Sequence, residues 1–182
     1  GSLGLTRLDG RICLVTGATS GIGLATARGL AGLGAHVVMV GRDRERAESA
    51  RKAILETTGN PHVDVLYADL ASLASIRALA NEFLASYPAL HVLVNNAGTI
   101  ELSRTTTVDG FEKTLAVNHL AYFLLTNLLL PRLRASAPAR IVNVASEAHR
   151  FGRIDLADLQ SEKQYSAMRV YGKSKLLNIL FT

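Results

Sequence analysis

The sequence predicts an α/β fold, a doubly wound parallel sheet with helices on both faces, and three observations lead to this prediction. Five short apolar runs rich in β-branched residues alternate with longer helical segments. Each run is apolar at successive positions, which is typical of parallel strands buried on both faces. The 182 residues, 48% of them hydrophobic, are enough for one domain with a substantial core but not comfortably for two. We therefore expect one domain over residues 1–182.

The predicted strands are separated from one another by helical segments along the chain. They are RICLVT (11–16), AHVVMV (35–40), VDVLYA (63–68), LHVLVN (90–95) and ARIVNVA (139–145). Helical segments connect them, and the last of these contains an apolar stretch from Leu120 to Leu130. Thr126 and Asn127 interrupt this stretch, which is too short to cross a bilayer. The sequence therefore predicts no membrane span.

Charge and cysteine content exclude several classes of protein. Cys13 is the only cysteine, so no internal disulfide can form, and five scattered histidines give no zinc-site spacing. The net charge of +5 suits a partner that carries phosphates, but the basic residues are dispersed, so nucleic acid is not expected. Gly1 and Ser2 resemble the remnant of an expression tag. We expect a cytoplasmic location, with association at a membrane surface left open.

The stretch TGATSGIG, residues 16–23, follows the first predicted strand and opens the first predicted helix. Its glycines would permit a tight turn, close approach of the backbone to a pyrophosphate, and close packing of helix on strand. The helix N-terminus offers free N–H groups and the positive end of a dipole. A merely glycine-rich turn is the alternative, but the strand–turn–helix context favours a dinucleotide site. The predicted contacts here are Gly17, Thr19, Ser20, Gly21, Ile22 and Gly23.

The end of the second strand bears on the choice between NAD and NADP. An NAD site places a carboxylate near this point to bind the ribose 2′-hydroxyl. Gly41 stands where we expect that carboxylate, and Arg42 follows it. Arginine favours a 2′-phosphate, so NADP is the preferred cofactor. Asp43 leaves NAD open as the less favoured alternative, since it could bind the ribose or cap the next helix.

The glycine spacing T-G-x-x-x-G-I-G resembles the short-chain dehydrogenase/reductase superfamily, whose domain is of the Rossmann type. Three further stretches agree: NNAG (95–98) after the fourth strand, a serine after the fifth strand, and Tyr-x-x-x-Lys. The motif ADL (68–70) resembles the adenine-side segment of the family. The resemblance runs along nearly the whole chain. It implies structural bracing by Asn95 and cofactor contacts by Asp69, Leu70, Asn96, Ala97 and Gly98, although Asp69 could instead cap a helix.

The stretch YGKSK holds Tyr171 and Lys175, which lie on one face of a helix because they are four residues apart. A tyrosine is a poor acid–base at neutral pH, but a nearby ammonium stabilises the phenolate. By itself the pattern is common and usually describes a solvated helix face. With the other motifs, it makes Tyr171 the predicted acid–base, while Lys175 assists it and contacts the nicotinamide ribose.

Two further residues complete the predicted catalytic set. Ser146 follows the fifth strand, at the carboxyl end of the sheet, and would hold the substrate oxygen as charge develops. Its alternative role is a turn or helix cap. Asn118 lies inside a long predicted helix, where asparagine is unfavourable without a reason. The family resemblance implies that Asn118 orders a water in the proton relay.

Several neighbouring polar residues are not expected to take part in catalysis. His119 is interpreted as a packing residue, and Ser174 as a hydroxyl on the helix surface. Tyr122 and Tyr165 are expected to lack the lysine partner and are not candidates for the acid–base.

Two departures from the usual family pattern stand out. Ser146 and Tyr171 are 25 residues apart, about twice the usual spacing, and the intervening stretch resembles retinol dehydrogenase-like and WW-domain oxidoreductase-like members. The second departure is that Thr182 falls inside the helix that carries Tyr171, whereas family members continue with further strands and a substrate loop. We therefore expect a chain truncated at its C-terminus.

These features predict an oxidoreductase that transfers hydride between NADP(H) and an alcohol/carbonyl pair, with a hydrophobic substrate. The alternative is a non-catalytic NADP(H)-binding interaction module on the same fold, because fold alone does not determine function. A different reaction on this scaffold, such as epimerisation or dehydration, is a further alternative. The expected partner is a small carbonyl or alcohol molecule, with a homodimer left open.

Overall fold

The computed structural model describes residues 6–182, and the suspected tag remnant at Gly1 and Ser2 lies outside the described residues. Five strands form one parallel sheet in the order β3-β2-β1-β4-β5. The strands are β1 (Ile12–Thr16), β2 (His36–Gly41), β3 (Val63–Tyr67), β4 (Val92–Asn95) and β5 (Arg140–Asn143). All five coincide with the predicted apolar runs, so the doubly wound α/β prediction is confirmed.

Helices cover both faces of this sheet. The α-helices are α1 (Gly21–Gly32), α2 (Arg44–Thr58), α3 (Leu73–Ser86), α4 (Lys113–Leu115), α5 (Ala121–Ala135) and α6 (Ala167–Phe181). A π-helical turn, Ala116–Leu120, joins α4 directly to α5. Two short 3-10 turns, Glu147–Phe151 and Leu156–Asp158, lie between β5 and α6.

The core consists of two apolar layers, one on each face of the sheet. Successive residues of a strand point to opposite faces. Leu14 accordingly packs with the layer under α3 and α5, whereas Cys13 and Val15 pack with the layer under α1 and α2. Cys13 is fully buried, as expected for a small apolar filler, and burial raises the pKa of its thiol to about 11.

Strand β5 departs from the prediction that every run is covered on both faces. Ile141 and Val142 are 37% and 46% exposed, whereas every residue of β1 is buried. β5 pairs with β4 on one side, and no second strand partner lies within residues 6–182. An apolar run therefore identified the strand correctly but not its position at the edge of the sheet.

The helical segment Lys113–Ala135 is the one within residues 6–182 that is long and apolar enough to cross a membrane by length and composition. The apolar run considered in the sequence was shorter because it omitted the first turns of this 23-residue segment. Half of the apolar window is buried, and Leu125, Leu129 and Leu133 pack against the sheet. This packing is that of a core helix.

The strand order places a crevice at the carboxyl ends of β1 and β4. The chain proceeds from β1 outward to β2 and β3, then returns to the other side of β1 for β4 and β5. The connections after β1 and β4 therefore leave the sheet toward opposite faces. Ligands of open α/β sheets bind at this topological switch point.

Candidate active site

A cavity of about 870 Å³ opens at the switch point. The predicted site residues that line it are Gly17, Thr19, Ser20, Gly21, Ile22, Gly23, Arg42, Asp69, Leu70, Asn96, Ala97, Gly98, Ser146, Tyr171 and Lys175. Of the predicted set, Asn118 alone lies outside this lining. Residues more than a hundred positions apart in the chain thus meet in one cleft.

The glycine turn between β1 and α1 fits very close backbone packing. Gly17 has a φ of 63°, and a Cβ placed there would lie 2.8 Å from the Cα of Ala97. A Cβ on Gly23 would lie 2.2 Å from the carbonyl oxygen of Gly17. Gly21, with a φ of 52°, differs because no protein atom lies within 4 Å of a Cβ there. Gly21 therefore keeps space free for a molecule in the cavity.

The N-terminus of α1 is not capped by a side chain. Ser20 occupies the cap position but its side chain accepts no capping hydrogen bond, and the first turn contains no acidic residue. By contrast, Asp43 caps α2 and Ser72 caps α3 through their side chains. The N–H groups at the start of α1 consequently face the cavity without a protein side chain to accept from them. Free N–H groups at a positive dipole end fit a pyrophosphate.

The NNAG segment is fastened to the glycine turn. The Asn96 side chain donates to the carbonyl oxygens of Thr16 and Gly17, at 2.9 and 3.2 Å. The Thr16 hydroxyl accepts from the backbone N–H groups of Asn96 and Ala97. Asn95 points into the protein and donates to Thr126 and to Asn143. Its position agrees with the structural role expected for it.

At the end of β2, two neighbouring charged residues line the cavity. Arg42 and Asp43 are both exposed there, and the Asp43 carboxylate also accepts from the backbone N–H of Arg46 at 3.0 Å. Asp43 is therefore the N-cap of α2. A Cβ on Gly41 would lie 2.6 Å from the Thr19 methyl, so Thr19 packs closely on the strand end.

Asp69 lies at the cavity without capping α3. Its carboxylate accepts from the backbone N–H of Ala71 at 3.0 Å, which closes a local turn. Ser72 is the cap of α3. The alternative that Asp69 serves as the helix cap is therefore wrong, and Asp69 remains beside Leu70 in the cavity lining.

Lys175 is the buried cation of the site. It is 3% exposed, its Nζ donates to the Val144 carbonyl oxygen at 2.9 Å, and burial lowers its pKa. The Nζ lies 5.7 Å from the centroid of the Tyr171 ring and 5.8 Å from that of Tyr122. Tyr122 thus does have Lys175 as a neighbour, contrary to expectation. Its hydroxyl, however, donates to the Ala97 carbonyl oxygen, Tyr122 itself does not line the cavity, and burial raises its pKa.

Ser146 both caps a turn and lines the cavity. Its hydroxyl accepts from the backbone N–H of Ala148 at 3.2 Å, at the start of the Glu147–Phe151 turn. This turn packs on α6 through two glycines that the sequence reasoning overlooked. A Cβ on Gly172 would lie 2.5 Å from the Ala148 carbonyl oxygen, and a Cβ on Gly152 would lie 2.5 Å from that of Gly172. Close backbone contact therefore sets the position of Ser146 relative to the helix that carries Tyr171.

Asn118 lies in the π-helical turn and is fully buried. Its side chain accepts from the N–H of Thr99, donates to the Thr99 carbonyl oxygen, and donates to the Ser174 hydroxyl. Its own carbonyl oxygen accepts from Asn178. Single π turns occur often at functional sites. The expectation that Ser174 lies on the helix surface is wrong, because Ser174 is fully buried and holds Asn118.

Arg46, Glu101 and Lys113 also line the cavity and were not predicted. Glu101 and Lys113 form an ion pair of 3.0 Å between their side chains, and this hydrogen-bonded lysine lowers the pKa of Glu101. Glu101 lies in a loop and Lys113 at the start of α4, and no sequence motif marks either position. Arg46 could have been found, since it lies in the first turn of the helix that follows Arg42.

Known proteins resemble the chain over nearly its whole length. A family model described as short chain dehydrogenase matches residues 11–176. "Retinol dehydrogenase 11" of Homo sapiens is 52% identical over 97% of this chain and 55% of that protein. The chain thus spans about half the length of the curated relatives it matches. A crystal structure of an uncharacterised protein from Mycobacterium Paratuberculosis is 41% identical, with a TM-score of 0.86 over 98% of this chain and 62% of that one. The Pseudomonas aeruginosa RhlG/NADP active-site complex is 33% identical, with a TM-score of 0.78 over 97% and 66%.

Proposed function

Because this chain belongs to the short-chain dehydrogenase/reductase family, we propose that it binds NADP(H) and catalyses hydride transfer to or from an alcohol/carbonyl pair with an apolar body. One observation carries the proposal. Tyr171, Ser146 and Lys175 line the same cavity as the uncapped N-terminus of α1. A phosphate-binding end and a proton-transfer end thus share one cleft, at the position where such sheets bind dinucleotides.

The phosphate end would hold the cofactor through backbone groups and Arg42. The free N–H groups of α1 fit the pyrophosphate, and Gly21 leaves room for its approach. The exposed guanidinium of Arg42 fits a 2′-phosphate. Asp43 is engaged as a helix cap, which supports NADP rather than a ribose contact from this carboxylate. The RhlG structure is an NADP complex, which also supports NADP.

Arg42→Asp tests the cofactor preference. The variant should lower NADPH affinity at least tenfold and shift preference toward NADH, because it replaces a phosphate-binding cation with a carboxylate. Arg44→Asp is the matched control, since Arg44 is a neighbouring arginine that stacks on Tyr67 outside the cavity lining. Calorimetric titration of both cofactors measures the ratio. An equal change of that ratio in both variants would show that Arg42 makes no specific phosphate contact.

At the other end of the cleft, the chain's own residues would manage the proton. NADPH supplies the hydride when bound. In the reducing direction, the Tyr171 hydroxyl donates its proton to the carbonyl oxygen, and the Ser146 hydroxyl donates a hydrogen bond to the same oxygen as charge develops. Lys175 stabilises the phenolate that remains, and its ammonium has further N–H donors beyond the one on Val144. Asn118 acts by positioning, since its side chain holds Thr99 and Ser174.

Tyr171→Phe tests the chemical step. It should lower turnover at least 100-fold, because general acid–base catalysis contributes roughly that much, while NADPH affinity stays within about twofold. Tyr67→Phe is the control, as this exposed hydroxyl bonds Glu48 away from the cavity. NADPH absorbance with a panel of apolar aldehydes and ketones reports turnover, and calorimetry reports binding separately. Normal turnover in Tyr171→Phe would overturn the assignment, and tight NADPH binding with no turnover of any substrate would favour the non-catalytic binding module.

A further inference from the structure

The middle lysine of YGKSK, Lys173, is buried without a role in the chemistry proposed above. It is 4% exposed and lies two residues from both Tyr171 and Lys175. Residues two apart on a helix do not share a face, so Lys173 points away from the cavity that the other two line. A buried ammonium is costly unless it is hydrogen-bonded. Its location therefore requires a compensating interaction.

That interaction is a turn in the long stretch between Ser146 and Tyr171. The Lys173 Nζ donates to the Leu159 carbonyl oxygen at 2.5 Å and to the Ser161 hydroxyl at 2.7 Å. Ser161 is itself buried, and its φ of 52° is uncommon for a residue with a side chain. Burial lowers the pKa of Lys173, whereas the charge of Glu112 opposes this effect. The buried ammonium of Lys173 thus takes its acceptors from a turn whose backbone is itself constrained.

Gln160, between these two acceptors, forms hydrogen bonds with the segment 104–112. The Gln160 side chain accepts from the backbone N–H of Glu112 at 2.8 Å, and its carbonyl oxygen accepts from Arg104 at 3.1 Å. Three consecutive residues, 159–161, therefore join α6 to the segment 104–112. The hydroxyl of Tyr165 adds a second connection by donating to the Glu101 carbonyl oxygen at 2.7 Å.

Residues close to these connections line the proposed site. Thr99, Ile100 and Glu101 line the cavity, as do Tyr171 and Lys175 of α6. Glu112 is fully buried, and its carboxylate accepts from the first N–H groups of α4, just before the π turn that holds Asn118. The turn at 159–161 consequently connects the helix of the proposed acid–base to the segment 104–112, and Tyr165 connects the same stretch to Glu101 in the cavity lining.

We propose that Lys173 is a positioning residue that fixes the width of the cleft at its carbonyl-binding end, and thereby determines which size of apolar carbonyl substrate fits. It does so by holding the turn at residues 159–161 against α6, while Gln160 holds the same turn against the segment 104–112, and Tyr165 holds the adjoining stretch against Glu101 in the cavity lining. The part that concerns substrate size rests on the proposed function, whereas the positioning of the turn does not.

Lys173→Met tests the proposal, because methionine keeps an unbranched apolar stem and removes the N–H donors. Lys163→Met is the matched control, since Lys163 is an exposed lysine near the same turn. Hydrogen exchange of the amides at 159–163 should accelerate at least tenfold in Lys173→Met alone, with NADPH affinity within about twofold. KM for a bulky apolar ketone should change at least tenfold, while kcat and KM for a small aldehyde stay within about threefold.

The outcomes separate the two proposals. Unchanged exchange at 159–163 overturns the positioning role. Faster exchange with equal changes of KM for large and small substrates, or with a loss of kcat alone, overturns the role in substrate size. If the unaltered protein binds no NADPH and turns over no carbonyl, the proposed function and the size role fail together, and exchange still decides the positioning role. Ser161→Ala removes one acceptor only; if Lys173→Met does not fold, this variant should give a smaller acceleration at the same amides.

Discussion

Replacing Gly23 by alanine should damage the glycine turn more than its one added methyl group suggests. A Cβ at this position would lie 2.2 Å from the Gly17 carbonyl oxygen and 2.4 Å from the Asn96 side-chain nitrogen, whereas real Cβ atoms essentially never approach below 3.0 Å. The Gly17 carbonyl would therefore have to move by about 0.8 Å or more. Overpacking of this kind costs typically about 1–3 kcal/mol of stability.

The same displacement should weaken cofactor binding. The Gly17 carbonyl oxygen accepts from Asn96, so its movement also disturbs the segment that lines the cavity on the β4 side. Backbone N–H groups that bind a pyrophosphate must keep their spacing, and we expect NADPH affinity to fall at least tenfold, about 1.4 kcal/mol. Calorimetric titration measures the affinity, and urea denaturation measures the free energy of unfolding.

Gly29→Ala supplies the matched control in the same helix. Gly29 is exposed in α1, and no atom lies within 4 Å of a Cβ placed there. Alanine is the better helix former, so this variant should gain roughly 0.5–1 kcal/mol of stability and bind NADPH normally. The two variants should thus change stability in opposite directions. Equal NADPH affinities and a stable Gly23→Ala protein would refute the close-packing argument.

Two further predictions concern other parts of the chain. Asp43→Ala should lower the free energy of unfolding by about 1 kcal/mol, because it removes the cap of α2, and Asp43→Ser should restore most of it in urea denaturation. Loss of NADH binding in both variants would instead indicate a ribose contact. His91 accepts from the backbone N–H of Ile12, and burial together with Arg11 lowers its pKa. Its folded pKa therefore lies below the unfolded value of about 6.5, so its contribution to stability is complete above that pH and declines as pH falls through the folded pKa. His91→Asn should flatten the slope of melting temperature between pH 5 and 7, with the exposed His62→Asn as control, and an unchanged slope would contradict the assignment.

Local sequence patterns were sufficient to predict the strands, the glycine turn and the face of α6 that lines the cavity. Each depends on spacing within a few residues: two-residue alternation or apolar runs in strands, and four-residue spacing in a helix. Arg42 lies in the cavity lining, where a residue directly after a strand end is expected. The helix cap formed by Asp43 needed the structure, since the same carboxylate could have bound a ribose or capped α2.

The features that the sequence did not predict depend on contacts between distant residues. Gly152 and Gly172 touch backbone to backbone, and neither has a spacing that indicates the other. Ser174 is buried because the π turn comes close to α6, and a π turn has no reliable sequence pattern. The exposure of β5 depends on its place in the sheet order, which an apolar run does not reveal. Tertiary packing decided all three.

The stretch YGKSK combines these two kinds of information in five residues. Tyr171 and Lys175 face the cavity, as their spacing predicts, but the three residues between them set how that face is presented. Gly172 lets the turn that carries Ser146 approach, Lys173 holds the segment at 159–161, and Ser174 holds Asn118. A Tyr-x-x-x-Lys pattern on an isolated helix has none of these three contacts. The pattern therefore indicates a catalytic tyrosine only where the intervening residues hold the helix against the rest of the site.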